Sequence, residues 1–200
     1  MASLSHEPPP RPEADMKRRA WIECVSTAAF VLGWRPARSQ MPAPQSSSLR
    51  SLAVLDFELE DDHDNPLTKS AQDVRLARAG AQLRAELAAR QLYRVVDETP
   101  SAPLQLRLRS QQAFLYRCDD CAEQVGVLLG VELVMTPWVQ KVSELILNLN
   151  VQIHDVQANK VAFTKSVDMR GNNDESWTRA VSYLVRDIAE RRERNPRYGQ

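Results

Sequence analysis

The sequence has little of several things that common functional sites require. Six glycines are few for a chain of 200 residues, and none forms the glycine-rich loop that holds nucleotide phosphates. The 26 basic and 26 acidic residues cancel, so the overall charge gives no sign of nucleic-acid or anionic-membrane binding. An ordered Ser/His/Asp set, paired catalytic carboxylates and an HExxH motif are also absent. The sequence therefore predicts no catalytic site, no cofactor and no metal.

The first 39 residues have the pattern of an export signal. A basic cluster, Lys17–Arg19, precedes the mostly apolar segment 20–34, which is too short and interrupted to span a bilayer. Small residues then end at Ser39, where we expect cleavage. The residues before Met16 fit this pattern poorly, which leaves open whether Met1 or Met16 is the start. We expect a periplasmic protein, and the alternative is a disordered N-terminus with a short buried helix.

The chain divides into four stretches. Residues 1–39 are the N-terminal extension and signal, and the Pro/Ser/Gln-rich residues 40–50 form a flexible lead-in. Residues 51–193 have the length and apolar content of one α/β domain. Residues 194–200 are predicted to be a disordered tail.

Hydrophobic periodicity predicts the elements of this domain. A continuous apolar run, Leu52–Phe57, indicates a central strand, and Ser70 with Asp73 resembles a capping box that begins a helix. Apolar residues alternate with polar ones from 145 to 154 and again from 161 to 169, which is typical of an antiparallel hairpin. The predicted order is β-α-β-α-β-β-β-α. This order describes a mixed α/β sheet, an α+β sandwich, with helices mainly on one face.

The cysteines offer the only reactive chemistry in the sequence. Cleavage of the signal removes Cys24, which leaves Cys118 and Cys121 as an even pair in an exported protein. We favour a structural disulfide, because Asp119 and Asp120 between the cysteines disfavour a reactive thiolate. A redox-active dithiol and half of a zinc site remain as alternatives.

A cluster of acidic residues follows the first strand. It comprises Asp56, Asp61, Asp62, His63 and Asp64. Ligands of open α/β sheets bind at the carboxyl ends of parallel strands, so a divalent cation is conceivable here. We favour a solvated acidic loop.

Polar and aromatic residues in the last third are candidates for partner binding. The candidates are Trp138, Gln140, Lys141, Asn148, Asn150, Arg170, Asn172 and Trp177. We expect the first three to lie near a sheet edge. This edge either binds a partner, or the charge of Lys141 protects it from pairing with other strands. The two asparagines belong to a polar sheet face, and the last three belong to the string that opens the final helix.

Several strings resemble an uncharacterised family of small exported proteobacterial proteins, a domain of unknown function. They are SLAVLDFELEDD, YRVVDE, LLGVELVMTPWVQKVSELILNLNVQIHDV and VDMRGNNDESWTRAVSYLVRD, and they cover residues 50–187. The layout is distantly similar to the amino-terminal domain of the Tol translocation protein. It is also distantly similar to envelope lipoproteins of the curli-secretion and penicillin-binding-protein-activator type. Relatives of that kind bind other envelope proteins and are not enzymes.

The resemblance and the absences together predict a non-catalytic periplasmic accessory or adaptor module. Its expected partner is another cell-envelope protein, without nucleic-acid binding and without a membrane span. Two alternatives stay open: a thiol–disulfide redox protein that uses Cys118 and Cys121, and a small-ligand binder on the polar sheet face.

Overall fold

A computed structural model describes residues 49–61, 63 and 66–200. These residues form an open mixed sheet of six strands with four α-helices, which confirms the predicted α/β class. The elements in chain order are β1 (Ser51–Val54), β2 (Glu58–Asp61), α1 (Pro66–Ala89), β3 (Arg94–Val96), α2 (Ala102–Arg109), α3 (Cys121–Leu129), β4 (Leu133–Lys141), β5 (Ile146–Asp155), β6 (Lys160–Arg170) and α4 (Asp174–Arg194). The predicted signal and its cleavage near Ser39 lie outside the described residues.

The strands lie in the order β3-β1-β4-β5-β6, and β2 pairs with β4 beyond the end of β1. β1 pairs in parallel with β3 and β4, and β2 pairs in parallel with β4. β5 and β6 follow in antiparallel pairing, as the two alternating runs of sequence predict. Across the described residues, none of the helices is long and apolar enough to cross a membrane.

Helices cover the two faces of the sheet unequally. The long helices α1 and α4 bury one face, where residues such as Leu83 and Val181 pack against Leu149 and Val151. This large cluster is the helix-covered face that the sequence predicts. The opposite face has a smaller core, in which α3 and the loop before it pack on β1 and the start of β4 through Val125. The β5–β6 end of that second face has no comparable apolar cover in the described chain.

Local chemistry explains where the helices begin and end. α1 begins at Pro66, because proline has no N–H and its fixed φ suits the first helical turn. The predicted capping box at Ser70 is therefore wrong, since that residue already lies inside the helix. Gly130 ends α3 in the left-handed conformation, with φ of 64°. Asn173 caps α4, because its side chain accepts a hydrogen bond from the Ser176 N–H at 3.0 Å.

Trp138, Gln140 and Lys141, which the sequence places near a sheet edge, do not lie on an edge strand. β4 is interior, because it pairs with β2 on one side and with β5 on the other along the stretch that contains these residues. Lys141 is only 3% exposed and neither guards an edge nor reaches a partner. Strand order depends on contacts between residues far apart in sequence, which a local pattern does not reveal.

The C-terminal residues are packed, although the sequence predicts a disordered tail. The Tyr198 ring meets the Phe163 ring edge-on, with 5.1 Å between the ring centroids. Arg192 donates a hydrogen bond to the Tyr198 carbonyl at 3.0 Å. The Tyr93 hydroxyl donates to the carbonyl of Gly199, which is buried. Two aromatic residues of the domain thus hold the tail in place.

Candidate functional site

The candidate site is the part of the sheet that the short helices leave bare, which we call the open face. It comprises Trp138 and Gln140 of β4, Asn148, Asn150 and Gln152 of β5, and Thr164, Ser166 and Asp168 of β6. Strand pairing aligns these side chains in rows, because Asn150 lies between Trp138 and Ser166. Asn148 likewise lies between Gln140 and Asp168. The alternate residues of the same strands point to the α1 and α4 side.

Amide groups dominate the middle of the open face. Asn150 is 8% exposed and donates a hydrogen bond to the Asn148 carbonyl at 3.1 Å. With its amide oriented to suit its neighbours, Asn148 donates to an Asp168 carboxylate oxygen at 2.8 Å. Thr164 and Ser166 are exposed beside them. The result is a surface of uncharged donors and acceptors with one carboxylate at its border.

An aromatic pair borders the open face on the β2 side. The Tyr116 ring stacks on Trp138, with 4.1 Å between ring centroids and 2° between the planes. The Tyr116 hydroxyl donates to Glu60 at 2.6 Å, and Glu58 accepts the N–H of Leu115 at 2.9 Å. Burial, followed by the neighbouring Glu60, raises the pKa of Tyr116 to about 12. The segment that carries Tyr116 is thereby fixed to β2 as a wall.

The cysteine loop stands at the other border of the open face. Cys118 and Cys121 form the disulfide that the sequence favours, with 5.5 Å between their Cα atoms. Cys121 is the first residue of α3 and is 1% exposed, whereas Cys118 is partly exposed. The Asp120 carboxylate lies 3.7 Å from the Cys118 sulfur. Because the sulfurs are bonded to each other, they do not offer the thiolates that the zinc alternative needs.

A buried acid–histidine pair next to the loop is a feature that the sequence did not reveal. Glu123 Oε1 lies 3.3 Å from His154 Nδ1, and Thr136 Oγ1 lies 3.4 Å from the other ring nitrogen. Burial lowers the pKa of His154, against the opposing effect of the Glu123 carboxylate. A cavity of about 150 Å³ adjoins the pair and reaches Cys118 and Gln152. The sequence does not indicate this pair because Glu123 and His154 lie on different elements, α3 and β5.

The predicted partner-binding residues separate into two groups. Trp138, Gln140, Asn148 and Asn150 lie together on the open face, and Arg170 is exposed at the end of β6. The other three, Lys141, Asn172 and Trp177, belong to a polar network at the α1 and α4 side of the sheet. The structure thus brings four of the predicted residues together on the open face and places the other four elsewhere.

The polar network holds the β4–β5 turn against the start of α4. Lys141 forms ion pairs with Asp61 at 2.8 Å and with Glu144 at 2.7 Å. Asn172 donates to Glu144 at 2.9 Å and accepts the Trp177 indole N–H at 2.9 Å. In the segment 170–177, Asn172 and Trp177 therefore have a structural role: they hold the turn and the helix together.

The acidic loop after β1 does not assemble a cation site among the described residues. Asp56 pairs with Arg84 at 2.6 Å, and Asp61 pairs with Lys141. Asp62 and Asp64 lie outside the described residues. The two described aspartates thus have basic partners, as carboxylates at the ends of strands often do.

These observations define the class of protein: an open mixed α/β sheet with one bare polar face and a disulfide at its border. Residues 50–188 match the family described as "Protein of unknown function (DUF2380)", and the chain belongs to this family. The resemblance that the sequence predicts is confirmed by this match. A comparison with curated proteins found no match.

Several solved structures are similar to this chain at low sequence identity. The C-terminal domain of LpoB from Salmonella enterica is 16% identical, with a TM-score of 0.46 over 63% of this chain and 87% of that chain. TolB from Acinetobacter baumannii is 10% identical, with a TM-score of 0.41 over 75% of this chain and 30% of that chain. Lipoprotein GNA1162 from Neisseria meningitidis is 15% identical, with a TM-score of 0.35 over 70% of this chain and 99% of that chain.

Proposed function

We propose that this protein is a non-catalytic accessory module that binds another cell-envelope protein through the open face. The bare row of amides and hydroxyls is the observation that carries the proposal. Helices α1 and α4 bury the opposite side of these strands, yet Thr164, Ser166 and Asp168 are exposed on this face. Trp138 adds an aromatic side chain of the kind that is enriched in protein interfaces. Uncharged donors and acceptors suit a partner's backbone and polar side chains.

We further propose that the module acts in the periplasm after cleavage near Ser39. The disulfide between Cys118 and Cys121 supports this location, because such bonds persist in oxidising compartments. The test is cell fractionation together with mass spectrometry of the purified protein. We expect a periplasmic protein whose mass corresponds to a start after Ser39. A reduced cytosolic protein of full length would contradict the proposed location.

Photo-crosslinking in living cells tests the proposed binding face. A photoreactive amino acid is placed at Gln152 on the open face and, as the matched control, at the exposed Ala88 on α1. We expect a discrete crosslinked envelope protein from Gln152 and none from Ala88, because only the first position faces the partner. Equal crosslinking at both positions, or no crosslinking at either position, would contradict the proposal.

Thiol–disulfide exchange is a second candidate function, favoured by the cavity beside the cysteine loop. A partner's thiolate would attack the exposed Cys118 sulfur and release the Cys121 thiolate, which takes up a proton. Glu123 and His154 border the cavity, and the Asp120 carboxylate lies 3.7 Å from the Cys118 sulfur. Reduction of insulin by dithiothreitol that the wild type accelerates and the Cys118→Ser/Cys121→Ser variant does not would favour this function over the first. No turnover by the wild type would exclude it.

A further inference from the structure

β6 is the outer strand of the sheet and pairs with a neighbour on one side only within the described chain. It is eleven residues long, Lys160–Arg170, and long edge strands invite pairing with another polypeptide. We propose that β6 binds an extended, acidic segment of the partner protein, which adds to the sheet as a further strand. This inference rests on the proposed function and specifies how the partner is held.

The outward main-chain groups of β6 follow from the pairing with β5. The Gly171 N–H donates to the Leu145 carbonyl at 3.0 Å, which marks these two residues as a hydrogen-bonded pair. Such pairs alternate along an antiparallel ladder, so Met169 and Val167 also bond to β5. The residues between them therefore direct N–H and C=O groups away from the sheet. These outward residues are Thr164, Ser166 and Asp168.

A groove beside β6 is placed to receive side chains of the added strand. It has a volume of about 540 Å³ and lies between β6 and α4. Met169, Ala180 and Tyr183 supply its apolar part, and Tyr183 is 45% exposed. Side chains of an added strand alternate between the two sides of the sheet, so every second one faces this groove. Apolar residues at those alternate positions of the added strand would match the apolar lining of the groove.

Charge identifies the occupant as an acidic segment. β6 carries the cations Lys160, Lys165 and Arg170 against the single anion Asp168, a net charge of +2. The Lys165 charge is compensated by an ion pair with Asp187 at 2.8 Å, whereas Lys160 and Arg170 form no ion pair within the described chain. Two copies of β6 placed side by side would repel each other, and an acidic strand would be attracted.

Peptide binding to the purified full chain, with its disulfide formed, tests the proposal. The probe is a fluorescent octapeptide of alternating Glu and Val, and the control peptide alternates Lys and Val. In fluorescence anisotropy we expect only the acidic peptide to bind, with a dissociation constant below about 1 mM. Ser166→Pro removes an outward N–H and keeps the β5 ladder, so it should weaken binding at least about tenfold. Ser166→Ala retains that N–H and should bind at least about tenfold more tightly than Ser166→Pro does.

Hydrogen exchange gives a readout that needs no variant. The acidic peptide should slow amide exchange at Thr164, Ser166 and Asp168, whose N–H groups it would engage. Binding of the Lys–Val peptide, full binding to Ser166→Pro, or no binding at about 1 mM would each overturn the proposal. Sedimentation that shows a dimer disrupted by Ser166→Pro would overturn it too, because the occupant would then be a second copy. If crosslinks from Gln152 persist while the peptide fails, only strand addition is wrong.

Discussion

Replacing Lys141 by Met should destabilise the fold strongly, because it leaves a carboxylate buried without its cation. The side chains of Lys141 and Asp61 are 4% and 8% exposed, and their charged atoms are 2.8 Å apart. Removing one partner of such a pair costs about 3–5 kcal/mol. The His63 N–H still donates to Asp61 at 3.0 Å, so we expect the lower end, about 3 kcal/mol. Glu144 adds little, because its side chain is 60% exposed.

Urea denaturation followed by tryptophan fluorescence measures this change. With a slope of about 2 kcal/mol/M, a loss of about 3 kcal/mol lowers the midpoint by about 1.5 M. The matched control is the Asp61→Leu/Lys141→Met double variant, which removes both charges and should lie within about 1 kcal/mol of the wild type. Asp61→Leu alone should cost less than Lys141→Met, since the lysine keeps Glu144 as its partner. A Lys141→Met variant within about 1 kcal/mol of the wild type would refute the reasoning.

The pH dependence of the same variant gives a second check. Burial by itself would raise the pKa of Asp61, but hydrogen bonds from Lys141 and the His63 N–H outweigh it, so the pKa is lowered. A lowered carboxyl pKa stabilises the wild type above the unfolded value of about 3.9, and this stability is lost as pH falls through the folded pKa. In Lys141→Met the cation is gone, and burial is opposed by the hydrogen bonds from the His63 N–H and from Gln72. The difference between variant and wild type should therefore shrink below about pH 4, and a widening difference would contradict the mechanism.

Three further predictions concern α3 and its surroundings. Replacing Cys118 and Cys121 by Ser should lower the free energy of unfolding by about 2 kcal/mol, since the bond closes a very short loop; urea denaturation should show this loss only against the oxidised wild type. Gly126→Ala should lower the melting temperature despite alanine's better helix propensity, because the new Cβ would collide with Val156, at a cost of about 1–3 kcal/mol. Burial lowers the pKa of His154, so the free energy of unfolding should decrease as the pH is lowered below the unfolded pKa of about 6.5. His154→Gln should make this pH dependence less steep, as urea denaturation at several pH values would show.

Elements with their own periodicity could be predicted from the sequence. β5 alternates apolar and polar residues, and its apolar set, for example Leu149 and Ile153, lies in the main core. Asn173 caps α4 as its position before two acidic residues indicates. Both features depend on residues that are close together in the sequence, where the local pattern decides the structure.

Features that depend on distant partners could not be predicted. β2, Glu58–Asp61, appears in the sequence as an acidic turn, because the groups that bind its carboxylates lie more than fifty residues away. The position of Lys141 inside the sheet depends on the same strand. The open face could be predicted only in part. The sequence shows its polar residues, but packing decides which of them α2 and α3 leave uncovered.

The position of β1 in the interior of the sheet constrains when the protein can fold. Ser51 bonds to Glu132, 81 residues further along, and β1 is enclosed between β3 and β4. A nascent chain cannot close this arrangement until β4 has been synthesised, and contacts of such long range form slowly. β1 therefore stays without its β4 partner until residue 141 has been synthesised. The export that we propose requires an unfolded chain, and such a delay is compatible with it.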